Sequence, residues 1–121
     1  DEHEYAFGRP TVIRRDGILF MWFAHRASPG IATYRIGFAH SRDGIHWTRR
    51  DDLAGIDVSA DGWDSEMICY PYVFEHGSRL YMLYNGNGYG RTGFGLAVLD
   101  DTVVDDTVVD GVVNGQGAGP A

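Results

Sequence analysis

Along the first half of the chain, apolar and polar residues alternate in short runs that end at Asp-Gly, Gly or Pro. This is the period of a half-buried β-strand, and no sustained helical repeat interrupts it. Residues 12–15 and 18–24 flank Asp16-Gly17, a dipeptide that accepts the positive φ angles of a tight hairpin. Residues 33–41 alternate again, broken by Gly37. Asp43-Gly44 then turns the chain, and residues 45–50 are expected to return as a strand. The pattern predicts four antiparallel strands.

The pattern then recurs. "PTVIRRDGILFMWF" (10–23) lies without a gap over "PYVFEHGSRLYMLY" (71–84), and "IGFA" (36–39) matches "FGLA" (94–97) after a shift of three residues. The second unit predicts strands at 70–75, 79–84 and 92–99, with a fourth to come from the tail. Two four-stranded antiparallel units about sixty residues apart are on the scale of propeller blades. The expected fold class is therefore all-β, with about two blades over residues 1–113 and a flexible Gly-rich tail at 114–121. Ser41-x-Asp43-Gly44-x-x-Trp47 fits a blade hairpin: the hydroxyl can bond the turn backbone, and the indole can cover apolar surface between blades.

Composition narrows the function. Hydrophobic residues make up 44% of the 121, enough to bury a core. The net charge is -7, and residues 100–121 hold five Asp and no Arg, so no nucleic-acid partner is expected. There is no lysine, which excludes Schiff-base chemistry and a P-loop lysine. No run of eighteen apolar residues exists, so no membrane-spanning helix is expected. Cys69 stands alone and reads as a small buried hydrophobe. The tail repeats Asp-Asp-Thr-Val-Val, an odd period that cannot keep its valines on one face of a strand. Its Asp pairs lack EF-hand spacing and no His pair has zincin spacing, so neither metal nor cofactor is expected.

"FGRPTVIRRDGILFMWFAHR", "YRIGFAHSRDGIHW" and "WDSEMICYPYVFEHGSRLYMLYNGNGYGRTGFGLAV" together resemble consecutive blades of the five-bladed β-propeller glycosidases, the arabinanase, levansucrase and invertase superfamily. The resemblance covers residues 7–99. It implies a carbohydrate partner, a central funnel, and carboxylates near the starts of the innermost strands, here near Arg9-Pro10 and Tyr70-Pro71. Glu66, just upstream of the second, resembles the family's general acid. The first blade has Arg9 where relatives often have Asp, and the base would come from Glu2, Glu4 or another chain. The implied function is to hydrolyse or bind a glycan. A non-catalytic glycan-binding or assembly module and a glycoside phosphorylase-like enzyme are the alternatives.

Glycoside hydrolysis uses one protonated and one ionised carboxyl group. Asp64 and Glu66 are one residue apart, so in extended chain they would point the same way and raise one pKa. Trp63, Tyr70 and Tyr72 offer flat apolar faces to a sugar or to packing between blades. In "YNGNGYGRTGFG" (84–95), Asn85, Asn87 and Arg91 reach for hydroxyls or simply sit in a flexible loop. Arg9 can hold a carboxylate or phosphate. His25 ends a strand and can line the pocket, whereas His40, His46 and His76 read as surface residues. Two blades bury each other on one side only, so either the chain is a fragment of a longer protein, or its exposed strands pair in another way, or copies close the ring as a homo-oligomer, such as a two-fold dimer.

Overall fold

The computed structural model describes residues 4–26 and 30–99, and the backbone alone of 119–120. These residues form two antiparallel sheets. The first runs β1 (Ala6–Arg15), β2 (Ile18–Arg26), β3 (Arg35–Ser41) and β4 (Thr48–Arg49). The second runs β5 (Cys69–His76), β6 (Arg79–Asn85), β7 (Phe94–Leu99) and the short β8 (Gly119–Pro120). Each sheet keeps sequence order, as a blade of hairpins must. The fold is all-β, as the alternation predicts. The valine-rich part of the tail and the expected boundary at residue 113 lie outside the described residues.

The repeat is visible bond by bond. In the first sheet Val12 pairs with Met21 and Met21 with Ala39; in the second Val73 pairs with Met82 and Met82 with Ala97. β1 slips by one residue between Gly8 and Thr11, and β5 slips identically between Cys69 and Tyr72. The residue that opens each slip has positive φ, 50° at Arg9 and 55° at Tyr70, and a proline follows it. Proline brings no N–H to the ladder, so the bulge leaves no orphan donor at that step.

β2 reads Ile-Leu-Phe-Met-Trp-Phe, apolar on both faces, as a strand covered on both sides requires. Ile18, Phe20 and Trp22 point toward the second sheet, with Ile36 and Phe38 of β3 beside them. Val73, Leu80, Met82 and Tyr84 meet them from the other side. The Trp22 indole N–H donates to the Ala54 carbonyl at 3.1 Å, which pins the inter-sheet connection to this core. His40, expected at the surface, is buried beside Phe38, because β3 carries it on the core-facing side. His46 and His76 are exposed as expected.

The expected return strand at 45–50 is shorter than its sequence suggests: pairing resumes only at Thr48. The Ser41 hydroxyl accepts the Asp43 and Gly44 N–H groups, and the Asp43 carboxylate accepts those of Ile45 and His46. Side chains therefore satisfy backbone donors that a strand would have used. Trp47 donates to the Gly44 carbonyl and lies over the outer face of the first sheet.

Trp63 is wedged into the second sheet. Its ring stacks on Tyr84 at 5.6 Å, and a Cβ added at Gly95 would lie 2.6 Å from the indole and 2.9 Å from Tyr84. Gly95→Ala is expected to destabilise the fold by about 1–3 kcal/mol through overpacking. Gly8→Ala, whose added Cβ meets nothing within 4 Å, should stay within about 0.5 kcal/mol of the parent. Urea unfolding midpoints of the two variants check the contrast.

Candidate functional site

β1, β3, β5 and β7 begin, and β2 and β6 end, at one edge of the sheets: Ala6 pairs with Arg26, His25 with Arg35, Cys69 with Asn85 and Asn85 with Phe94. The bulged residues Arg9 and Tyr70 sit on this edge, and the long connection from Asp51 to Met67 and the 86–93 loop gather beside it.

Four non-glycine residues among those described have positive φ: Arg9, Asp16, Tyr70 and Tyr89. Asp16 sits in a hairpin. The other three meet at this edge. The Arg9 guanidinium lies 5.2 Å from the Tyr70 ring centre, and Tyr70 lies 6.0 Å from Tyr89. Tyr34 meets Tyr89 edge-on at 5.9 Å, and Arg26 stands between Tyr34 and Tyr5. Backbone strain of this kind costs of order 1–3 kcal/mol per residue and persists where the surroundings enforce it. The result is a partly exposed surface of phenol rings with guanidinium groups against them.

The carboxylates expected as a pair are separated. Residues 60–66 are bends and turns, not extended chain. Asp64 is only 4% exposed and accepts the Tyr84 hydroxyl at 3.3 Å. Burial, with Asp64 beside it, raises the Tyr84 pKa and keeps the phenol a donor. Glu66 is exposed, and no described side chain bonds its carboxylate. Its backbone is held on both sides: its N–H donates to the Asn87 side-chain oxygen at 2.8 Å, and its carbonyl accepts Arg35 at 2.9 Å.

Asn87 is not a free reader of hydroxyls. It is buried, accepts the N–H groups of Glu66 and Met67, and donates to Gly62 and Ser65. Trp63 is likewise taken up by packing, whereas Tyr72 is exposed. Asn85 donates to the Tyr89 carbonyl at 3.4 Å, and Arg91 is exposed beside Gly88.

An open cleft of about 620 Å³ lies between the two sheets at the same edge, lined by His25, Arg35, Asp51, Asp57, Asp64 and Tyr84 among others. His25 lines this cleft from the end of β2. Its Nε2 is 3.7 Å from Asp51 and its Nδ1 3.5 Å from Glu4; the Nδ1 atom makes no aligned hydrogen bond. Burial pushes the imidazole pKa down, and Asp51 offsets this only in part. Arg35 spans from cleft to surface, pairing with Asp57 at 3.1 Å while it holds Glu66. Tyr34, Arg35, Tyr89 and Asp51 were not singled out from the sequence. Their signal was faint: a Tyr-Arg opening a strand, and a tyrosine flanked by glycines.

Glu4 is bound to Arg49, which also grips Asp51 through two nitrogens. Among the described residues it is the counterpart nearest to the base expected at the N-terminal end. The Arg49 guanidinium holds its carboxyl at about 2 against partial desolvation, so it stays ionised. A carboxyl whose folded value lies below its unfolded one contributes stability above the unfolded value and loses it as pH falls through the folded one. Acid unfolding should therefore show a component lost between about pH 4.5 and 2 that Glu4→Gln abolishes. Urea midpoints of parent and variant across that range check it; parallel curves would remove Glu4 from the account.

No family model matches the sequence. Two proteins of Mycobacterium tuberculosis, the "Uncharacterized protein MT1551" of strain CDC 1551 / Oshkosh and the "Uncharacterized protein Rv1502" of strain ATCC 25618 / H37Rv, are each 55% identical over 91 residues. That stretch is 75% of this chain and 29% of either relative, so the chain spans under a third of their length. Among solved structures, a family 117 glycoside hydrolase of Zobellia galactanivorans superposes at TM-score 0.60 and 14% identity, over 85% of this chain and 36% of that one. An α-L-arabinofuranosidase of Clostridium thermocellum gives 0.53 at 24%, over 78% and 32%. A thermostable family-43 glycoside hydrolase gives 0.56 at 18%, over 82% and 30%. The two sheets have the fold of part of the β-propeller in such glycoside hydrolases.

Proposed function

We propose that this chain is part of a glycosidase-like β-propeller that takes a glycan at the Arg9–Tyr70–Tyr89–Tyr34 surface, with Glu66 as the general acid. One observation carries the reading: three strained, non-glycine residues converge on a single aromatic surface at the edge where the innermost strands begin. Phenol rings present flat apolar faces to sugar C–H groups and hydroxyls to sugar hydroxyls. Arg9 and Arg26 add donors for a hydroxyl or an acidic substituent.

Glu66 suits an acid that acts on an approaching ligand, since its backbone is fixed and its carboxylate faces solvent. Asp64, buried under the Tyr84 hydroxyl, serves to position rather than to touch substrate. The base then comes from residues beyond this pair, in a part of the propeller supplied by further chain or by a further copy. The separation of the carboxylates also favours a second reading, a module that binds glycan without cleaving it. Arabinose- and xylose-based oligosaccharides are the first ligands to try, because a solved structure of similar fold is an arabinofuranosidase and another carries xylose.

Calorimetric titration with such oligosaccharides should show binding that Tyr70→Ala weakens about tenfold, the worth of one aromatic contact of roughly 1.4 kcal/mol. Glu66→Gln should keep the affinity. If the chain hydrolyses, the same variant should lose turnover by about 10²–10⁴-fold. Affinity unchanged in both Tyr70→Ala and Tyr89→Ala would falsify the assignment of this surface.

A further inference from the structure

The ring surface leaves unused the cleft of about 620 Å³ that opens at the same edge. Every residue lining that cleft lies between 25 and 84: the ends of β2 and β6, the start of β3, and the connection that joins the two sheets. It is formed where two adjacent blades meet, not on a face left open at either end of the chain. Deeper in, the same contact closes on Trp22, Leu80 and Met82. At the edge its lining is polar, with four aspartates, one arginine, a histidine and a serine. Closing over such groups would strip water from charges, so the gap stays open. Its size falls within the roughly 300–1,000 Å³ of small-ligand sites.

Most of these groups are already engaged. Asp51 is gripped by Arg49, Asp52 by Arg50, and Asp64 accepts the Tyr84 hydroxyl. Burial lowers the His25 pKa, so its ring is neutral near pH 7. What remains belongs to Arg35, Asp57 and Ser59. Arg35 spends Nε on Asp57 and Nη1 on backbone carbonyls, and no described residue accepts a hydrogen bond from its Nη2. The Asp57 side chain is 73% exposed. The Ser59 hydroxyl bonds no described residue. A donor, an acceptor and a group that does both suit hydroxyls, each of which both donates and accepts. Four carboxylates against one guanidinium disfavour an anion.

The cleft and the ring surface meet at Glu66. Tyr34 belongs to the rings, and Arg35, the next residue, belongs to the cleft. Arg35 Nη1 donates to the Tyr34 and Glu66 carbonyls at 3.3 and 2.9 Å, and the Ile68 N–H donates to the Tyr34 carbonyl at 3.1 Å. The Glu66 backbone therefore runs along the boundary between the two. We propose that a glycan seated on the rings continues past Glu66 into the cleft, which takes neutral sugar units through their hydroxyls at Arg35, Asp57 and Ser59. This rests on the glycan reading above and adds a second subsite to it, with the exposed Glu66 at the junction. A short saccharide is held by the rings alone, so affinity grows with chain length until both subsites are filled.

Calorimetric titration of the whole chain with neutral xylo- and arabino-oligosaccharides, from disaccharide to pentasaccharide, tests this. The tetrasaccharide should bind about tenfold more tightly than the disaccharide, the worth of one or two net hydrogen bonds. Ser59→Trp, which fills the cleft, should bring the tetrasaccharide down to the disaccharide value and leave the disaccharide unchanged. Circular dichroism checks folding, and Asp57→Trp, at an exposed position, stands in if that variant does not fold. Tyr70→Ala should weaken both lengths by the same factor. Equal affinity at all lengths in the parent, or a length gain that survives filling of the cleft, overturns the second subsite; the ring surface then stands if Tyr70→Ala still weakens binding. An equal length gain with oligomers of a uronic acid overturns the neutral class. A parent that binds none of these sugars removes the glycan reading and the cleft subsite with it.

Discussion

A β-sheet that is apolar on both faces has to be covered on both, and each sheet of this chain is apolar on both. β2 and β6 place large hydrophobes at successive positions, so no rotation of a sheet turns a polar side to water. Packing one sheet on the other covers one face of each. The burial of Trp22, Phe20, Leu80 and Tyr84 follows from that single contact, as does the pinning of Ala54 by the Trp22 indole. So does the placement of the functional edge. Once β1 and β5 lie side by side, the two bulges at Arg9 and Tyr70 are brought within reach of each other.

The bulges link the fold to the site. An ordinary strand start would let Arg9 and Tyr70 follow the pleat. Positive φ at both turns their side chains out of it, toward the 86–93 loop and Tyr89. Glycine would adopt this backbone without strain, and the chain spends a few kcal/mol by using Arg and Tyr instead. Stability alone does not favour that choice at three neighbouring positions. The proposed recognition surface would account for it, because only these residue types supply rings and guanidinium groups at that edge.

The strand pattern, the hairpins, the repeat and its three-residue shift could all be read from the sequence, because each rests on local periodicity or on a turn dipeptide. The fate of individual loop residues could not. Asp43 looked like half of a two-residue turn, yet its carboxylate captures two backbone N–H groups and delays the strand to Thr48. Asp64 and Glu66 looked like a pair, because period-2 geometry was assumed where the chain is in fact turned. Trp63 and Asn87 looked like ligand contacts, since an aromatic and an amide beside a funnel suit sugars. What removed them was tertiary: a gap left by Gly86 and Gly95, and unsatisfied N–H groups at Glu66 and Met67. The surface that was missed, Tyr34 with Tyr89, joins residues far apart in sequence, and nothing local marks either.

Asn87 ties Glu66, the proposed acid, to the aromatic surface. Its side-chain oxygen fixes the N–H groups of Glu66 and Met67, and its amide nitrogen reaches Gly62 and Ser65 on the same connection. Its own N–H and carbonyl lie in the loop that carries Tyr89, where Thr92 donates to both the Asn87 and Trp63 carbonyls. A displacement of that loop large enough to move Tyr89 off Tyr70 and Tyr34 strains the bonds that hold Glu66. Conversely, Arg35 binds Glu66 from the side of Tyr34 and the cleft. Glu66 is thus clamped between the two elements that supply the rings. An exposed carboxylate held this way keeps a constant position relative to whatever lies on those rings, which is the geometric condition that general acid catalysis sets.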